Sequence, residues 1–364
     1  MRYANPIHPY LQSLVACEGT DLHLVPGDLP RLRTDGRLVP VARDEQHGIG
    51  ELSADDVATL IHGTMTDLVR ERWQAASAVD YSYDAGPGLG RYRVCAFRQQ
   101  RGPGAVLRRV PSPPDDMDAL GLPQSVQALT ARPNGLILIA APTGGGKSTT
   151  MAALLNEVNQ RLAGHIITIE DPVEFFHANR GCVVTQREVG TDVPGYQEGV
   201  EALLRQDPDV VMLGEVRNAE VLQQALAVAE TGHLVLTTIH AKSAPGAIAR
   251  VVGLVDSGRQ EATRRQIAGV MQGVIAQSLL PRAGGGRAAA FEVLLRTTAT
   301  VNRIMEGSFD ALRNDLAVRS SGMVLQERSL AELVVRGEVT REDAALWAND
   351  PDQLRREMTA MVPG

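Results

Sequence analysis

The sequence predicts a two-part α/β protein: an α+β domain over residues 1–110, a linker over 111–122, and a parallel-sheet domain over 123–364 that turns helical from about residue 260. Three observations carry this. A chain of 364 residues exceeds one ordinary domain. The run Pro111-Ser112-Pro113-Pro114-Asp115-Asp116 reads as a stiff polar linker. After it, short apolar strands alternate with longer helical patterns, the rhythm of a parallel sheet.

In chain order, Ile7, Tyr10, Leu11, Leu14 and Val15 recur at helical spacing behind Pro6. Leu22 to Val25 reads as a strand, and Asp35-Gly36 as the turn of a hairpin between Arg31-Leu32-Arg33 and Leu38-Val39. Ser53 and Asp56 form a capping-box pair ahead of Val57, Leu60 and Ile61. Val79, Tyr81 and Tyr83 alternate, as do Tyr92, Val94 and Ala96 across the turn Gly86-Pro87-Gly88, and Ala105 to Val110 adds a further strand. Beyond the linker the clearest strands are Leu136 to Ala140, His165 to Ile169, Val210 to Leu213 and Leu234 to Ile239. From about Gln260 the pattern reads as helix, broken by Gly284-Gly285-Gly286.

Composition narrows the function. Hydrophobic residues make up 44% and charged residues 22%, enough apolar surface for packed cores and not the make-up of a disordered chain. The net charge of −7 and the 4% aromatic content argue against binding nucleic acid directly. Cys17, Cys95 and Cys182 form neither a zinc ribbon nor a disulfide framework, which fits a reducing compartment. No apolar run has the length of a membrane span, and the first residues lack a secretory-signal core, so the expected location is cytoplasmic with peripheral membrane contact.

The strongest chemical signal is Leu136 to Ala140 running into Ala141-Pro142-Thr143-Gly144-Gly145-Gly146-Lys147-Ser148-Thr149, then a helix with an apolar stripe of Met151, Leu154, Leu155, Val158 and Leu162. Glycines let consecutive backbone N–H groups turn inward around a phosphate, and the helix start adds partial positive charge. Lys147 can reach the β- and γ-phosphates, and the Ser148 hydroxyl can ligate Mg²⁺. Ala141 stands where the phosphate-loop pattern has its first glycine. Three other strands end in Glu170-Asp171, Gly214-Glu215 and His240. Alone, each is an ordinary loop charge; together, at the edge where an open α/β sheet binds ligands, they suit metal coordination and water activation.

These segments resemble a known family. Ile169-Glu170-Asp171-Pro172-Val173-Glu174 is similar to the aspartate box of the type II/IV secretion and pilus ATPases. Leu204-Arg205-Gln206-Asp207-Pro208-Asp209 through Val211 to Asn218 resembles their Walker B signature, and Thr231-Gly232-His233 through Thr238-Ile239-His240-Ala241 their histidine box. Thr20 to Leu24, Arg91 to Arg101-Gly102 and Gln186 to Gly190 extend the likeness, which is nearest to the PilT-type retraction ATPases of type IV pili. Asn218 replaces the usual Walker B aspartate, and residues 299–304 keep only Ala299, Asn302 and Ile304 of the retraction motif Ala-Ile-Arg-Asn-Leu-Ile.

The resemblance implies a PAS-like N-terminal domain, a RecA-like ATPase core, and a homo-hexameric motor that hydrolyses ATP with Mg²⁺ to power pilus retraction and twitching motility. It implies that Glu215 polarises the attacking water, that Glu170 is a second essential acid, and that Asp171 helps organise Mg²⁺. Arg93 and Arg108 would bring positive charge to the phosphates, and His240 would act near the γ-phosphate. His233, Arg205 and Arg217 are secondary candidates; a strand of this length sets His233 at the opposite end from His240. The implied partners are an inner-membrane platform protein and other pilus ATPases. A type IV secretion or conjugation motor, and a weakly hydrolysing accessory subunit, are the alternative readings.

Overall fold

Period-two burial organises the first of the two units into which the chain divides, Met1–Ser112 with Pro172–Phe176, the second being Pro113–Asp171 with His177–Gly364. The computed structural model describes residues 5–34, 36–41, 50–111, 113–114, 117–318 and 321–361. Asp35 of the expected turn, Ser112, Asp115 and Asp116 of the expected linker, and the first four residues lie outside the described residues. The division at Ser112 falls inside the expected linker.

The first unit contains α1 (His8–Ala16), β1 (Asp21–Leu24), β2 (Arg31–Thr34), β3 (Arg37–Pro40), α2 (Ala54–His62), α3 (Asp67–Ala75), β4 (Ala78–Asp84), β5 (Arg91–Gln99) and β6 (Gly102–Val110). Its six strands form an antiparallel sheet ordered β3-β2-β1-β6-β5-β4. Val79, Tyr81, Tyr92, Val94, Ala96, Ala105 and Leu107 share one core with the apolar stripes of the three helices. The Ser53–Asp56 capping box forms as the sequence predicts: Asp56 N donates to Ser53 Oγ at 3.1 Å and Ser53 N to Asp56 Oδ2 at 2.8 Å.

The second unit opens with α4 (Gln124–Thr130), β7 (Gly135–Ala140), α5 (Lys147–Arg161), β8 (His165–Glu170) and β9 (Val183–Glu188). It continues through α6 (Tyr196–Leu203), β10 (Val210–Leu213), α7 (Ala219–Glu230), β11 (Leu234–Ile239), α8 (Ala244–Gly253) and α9 (Ser257–Val270). Then come β12 (Met271–Pro281), β13 (Arg287–Leu295), α10 (Thr298–Glu306), α11 (Leu312–Leu316), α12 (Gln326–Val335), α13 (Arg341–Trp347) and α14 (Pro351–Met361). The sheet order is β13-β12-β7-β11-β10-β8-β9, parallel except for the edge strand β13. Strands β7, β10 and β11 are buried along their whole length, as a sheet covered by helices on both faces requires. Cores on the two faces hold Leu136 and Leu138 on one side and Ile137 and Ile139 on the other. Among the described residues, no helix is long and apolar enough to cross a membrane.

The expected helical region from about residue 260 is corrected. Helix α9 passes directly into β12, and Gly284 to Gly286 is the turn of a long hairpin in which Arg282 N donates to Gly286 O at 3.1 Å. Two features hid it. Strand β12 is buried on both faces, so it shows no alternation, and β13 carries three consecutive alanines, good helix formers overridden here by tertiary pairing. The helical part proper begins at α10, whose N-cap Thr297 forms a capping box with Thr300. Thr300 is wholly buried and also donates to Leu295 O at 3.0 Å, so this departure from the retraction motif is a structural residue, not a surface one.

The hairpin itself carries a buried acid on β13. Glu292, only 1% exposed, accepts the Ala244 backbone N–H at 2.6 Å through Oε1. Burial, with the charge of Glu327 adding to it, pushes its carboxyl up to about 7. A carboxyl raised on folding stabilises the protein most below its unfolded value, and that contribution is lost as pH rises through about 7. Glu292→Gln cannot ionise. It is expected to be more stable than the parent at pH 8, by about 1–3 kcal/mol, with the advantage shrinking toward pH 5. Urea melts at the two pH values check this; a difference independent of pH would show that Glu292 does not carry the raised pKa.

Candidate nucleotide site

Parallel order decides the site. With β7, β11, β10 and β8 adjacent and co-directional, the segments leaving their carboxyl ends converge on one edge. These segments are the glycine loop after β7, His240 after β11, Gly214-Glu215 after β10 and Glu170-Asp171 at the end of β8.

The loop is built on backbone geometry that its residues permit. Gly144 and Gly146 sit at φ +73° and +84°, where side chains are strained, and Gly146 opens α5 as its N-cap. Lys147 folds back along the loop, its Nζ donating to Ala141 O at 3.1 Å and Pro142 O at 3.3 Å. The amide of Gln277 on β12 closes the loop from the side. Its Nε2 donates to Gly145 O at 2.5 Å, and its Oε1 accepts from Thr150 Oγ1 at 2.6 Å. In the sequence Gln277 is marked only as one amide inside the largely apolar run Val274 to Leu280.

From Lys147 a continuous series of polar contacts crosses the sheet edge. Lys147 Nζ lies 3.1 Å from His240 Nδ1, and His240 Nε2 lies 3.0 Å from Glu215 Oε1. A protonated lysine can only donate, so His240 takes the neutral tautomer with its proton on Nε2, donated to Glu215. Arg217 Nε then donates to Glu215 Oε2 at 3.2 Å, and Arg217 Nη1 to Asp171 Oδ2 at 2.8 Å. Arg217 therefore joins the two acids of the Walker B and aspartate boxes. Its own pKa is raised: burial opposes the charge, and the bonds to Glu215 and Asp171 outweigh it. Glu170 is 6% exposed, with Oε1 accepting from Thr168 Oγ1 at 2.6 Å and Gln186 Nε2 at 3.0 Å. Glu215 is held from behind, since Gly214 O accepts from Thr238 Oγ1 at 2.7 Å and Gly214 N donates to Ile169 O at 2.9 Å. Asn218 caps α7, its Oδ1 accepting from Val221 N at 3.0 Å, a task that asparagine performs as well as aspartate.

Within the second unit, His233 and Arg205 stand apart from this run. His233 precedes β11 at the amino edge of the sheet, bonded to Val228 O and Thr231 Oγ1, both at 3.1 Å. Arg205 is exposed in the turn after α6. Arg93 and Arg108 belong to the first unit, where they pair directly across β5 and β6 on the face away from the core. Arg108 Nε donates to Asp21 Oδ1 at 2.8 Å. Burial works against the Asp21 charge, yet hydrogen bonds from Thr20 and Arg108 hold its carboxyl below the usual range.

A strand, a glycine loop and a helix beginning Lys-Ser, with acids and a histidine converging from three neighbouring strands, define a P-loop nucleotide-binding protein. The chain belongs to the type II/IV secretion system protein family, whose match spans residues 91–329. It is 38% identical over 336 residues to the type IV pilus retraction ATPase PilT of Pseudomonas aeruginosa, covering 92% of this chain and 96% of that protein. The type IV pilus ATPase PilU of the same organism is 36% identical, with 95% and 89% covered. A crystal structure of the pilus retraction motor PilT with bound ADP superposes with a TM-score of 0.86 at 35% identity, over 96% of this chain and 99% of that one. The resemblance to the PilT-type ATPases read from the boxes is thus borne out, as is an α/β fold with an N-terminal domain ahead of an ATPase core.

Proposed function

We propose that the protein is an ATP-hydrolysing motor of type IV pilus retraction, acting as a homo-hexamer on a platform protein at the inner face of the cytoplasmic membrane. The observation that carries this is the continuous run from Lys147 through His240, Glu215 and Arg217 to Asp171, beside a glycine loop. Similarity to PilT supplies the kind of work.

Bound ATP would place its β-phosphate against the loop N–H groups, and Lys147 would exchange its carbonyl and His240 contacts for phosphate oxygens. His240 keeps its Nε2 proton on Glu215, fixing a carboxylate that orients water toward the γ-phosphate. The Ser148 hydroxyl, second in α5, and the Asp171 carboxylate are hard oxygen donors that suit Mg²⁺, which would offset phosphate charge. Glu170 acts as the second acid. Arg93 and Arg108 supply guanidinium charge to the transferring phosphoryl group.

Imaging labelled pili in cells lacking the gene tests the work assigned. Long, static pili, restored to motion by the parent but not by Glu215→Gln, are expected. Absence of pili would reassign the motor to assembly, and normal pili with lost effector or DNA transfer would move it to a type IV secretion or conjugation apparatus.

A further inference from the structure

We propose that Gln277 is a positioning residue that sets the phosphate loop in its nucleotide-binding conformation, a role that rests on the reading of the loop as an ATP site. Gln277 lies on β12, is 3% exposed, and bridges the loop and the first turn of α5: Nε2 to Gly145 O at 2.5 Å, and Oε1 from Thr150 Oγ1 at 2.6 Å. Its orientation is unambiguous. Gly145 O only accepts, so it faces the amide nitrogen, and the Thr150 hydroxyl then donates to the amide oxygen.

The consequence follows from the planarity of the peptide. Across a trans peptide the carbonyl oxygen of one residue and the N–H of the next point in opposite directions. Drawing the Gly145 carbonyl toward β12 therefore turns the Gly146 N–H the other way, into the hollow of the loop where successive N–H groups gather around an anion. Gly146 is fitted to the same amide, since a Cβ at that position would stand 2.7 Å from Gln277 Nε2. The opposite strand of the hairpin adds a second, looser contact, Arg287 Nη1 to Gly144 O at 3.5 Å. The amide's two hydrogen bonds go to the loop carbonyl of Gly145 and the Thr150 hydroxyl in the first turn of α5, and neither goes to the convergent acids, so it governs binding and not the water-activating step.

The test measures fluorescent ATP-analogue binding and steady-state hydrolysis for the parent, Gln277→Leu and Gln277→Glu, with thermal melts establishing that each is folded. Gln277→Leu leaves a buried carbonyl without its donor. It is expected to raise the analogue Kd and the KM about 10-fold or more while kcat stays within about 3-fold of the parent. Gln277→Glu carries the sharper signature. An ionised carboxylate repels Gly145 O, whereas a protonated one donates to it, so this variant should bind weakly at pH 8 and recover toward the parent as pH falls to 6. A residue that only filled space would give no such pH dependence. Parent-like affinity in Gln277→Glu at pH 8, or a loss that does not change with pH, would overturn the assignment. If the parent itself bound no nucleotide, the reading of the loop would fail instead.

Discussion

Glu215→Gln is expected to lower steady-state ATP turnover about 100-fold or more while leaving ATP affinity within about 3-fold of the parent. The amide has the carboxylate's shape but neither its charge nor its capacity to accept through both terminal atoms. Glu215 accepts from His240 Nε2 through one oxygen and from Arg217 Nε through the other. Glutamine can satisfy only one of these donors. Arg217 keeps Asp171 at 2.8 Å, so the sheet edge has a second anchor and the fold is not at risk. The glycine loop and Lys147 are untouched, which is why binding should survive. Phosphate release and nucleotide titration on the same preparation separate the two quantities. Turnover within 3-fold of the parent would remove Glu215 from the chemistry.

Gly145→Ala carries the second large effect, and it falls on binding. A Cβ at this position would stand 2.7 Å from the Ala141 Cβ and 2.9 Å from Pro142 O. Neither is the end of a flexible side chain, so the loop backbone must move. Overpacking of this kind costs about 1–3 kcal/mol, and ATP affinity should fall about 10- to 100-fold as the loop N–H groups lose their arrangement. Gly144→Ala is the informative contrast, because among the described residues nothing beyond its chain neighbours lies within 4 Å of its added Cβ and only the strain of φ +73° remains. It should be the milder of the two. Ala141→Gly added to Gly145→Ala removes the closer clash and should return part of the lost affinity; no recovery would show that the crowding against Ala141 is not the cause.

The legible part of the protein was the part governed by local pattern. Alternating burial in Val79-Tyr81 and Tyr92-Val94-Ala96, the Ser53 cap, and the short strands that end in Glu170, Glu215 and His240 all follow from spacing alone. Once strands are parallel and adjacent, residues just past their carboxyl ends must meet, so the site could be read without coordinates. The illegible parts depend on pairing between distant segments. Strand β12 reads as continuous apolar chain because both faces are covered, and β13 reads as helix because alanine favours helix until a neighbouring strand claims it. Gln277 depends on the same pairing, since it meets the glycine loop only because β12 lies beside β7. Arg217 reads only as a secondary candidate after the Walker B strand, and its bond to Asp171, 46 residues away, exists only through the pairing of β10 with β8. Thr300 is similar: in sequence it is a departure from a motif, and in the fold it is the buried partner of the Thr297 cap.

Phosphate release from ATP and Mg²⁺ by the purified protein, compared with Lys147→Ala prepared in the same way, tests the central claim most directly. Lys147 lies between the loop carbonyls and His240, so its removal takes away both the phosphate contact and the start of the run that leads to Glu215. The predicted result is Mg²⁺-dependent turnover in the parent that falls to background in Lys147→Ala. Turnover that is absent from the parent, or that is equal in the two proteins, would contradict an ATP-driven motor built on this loop.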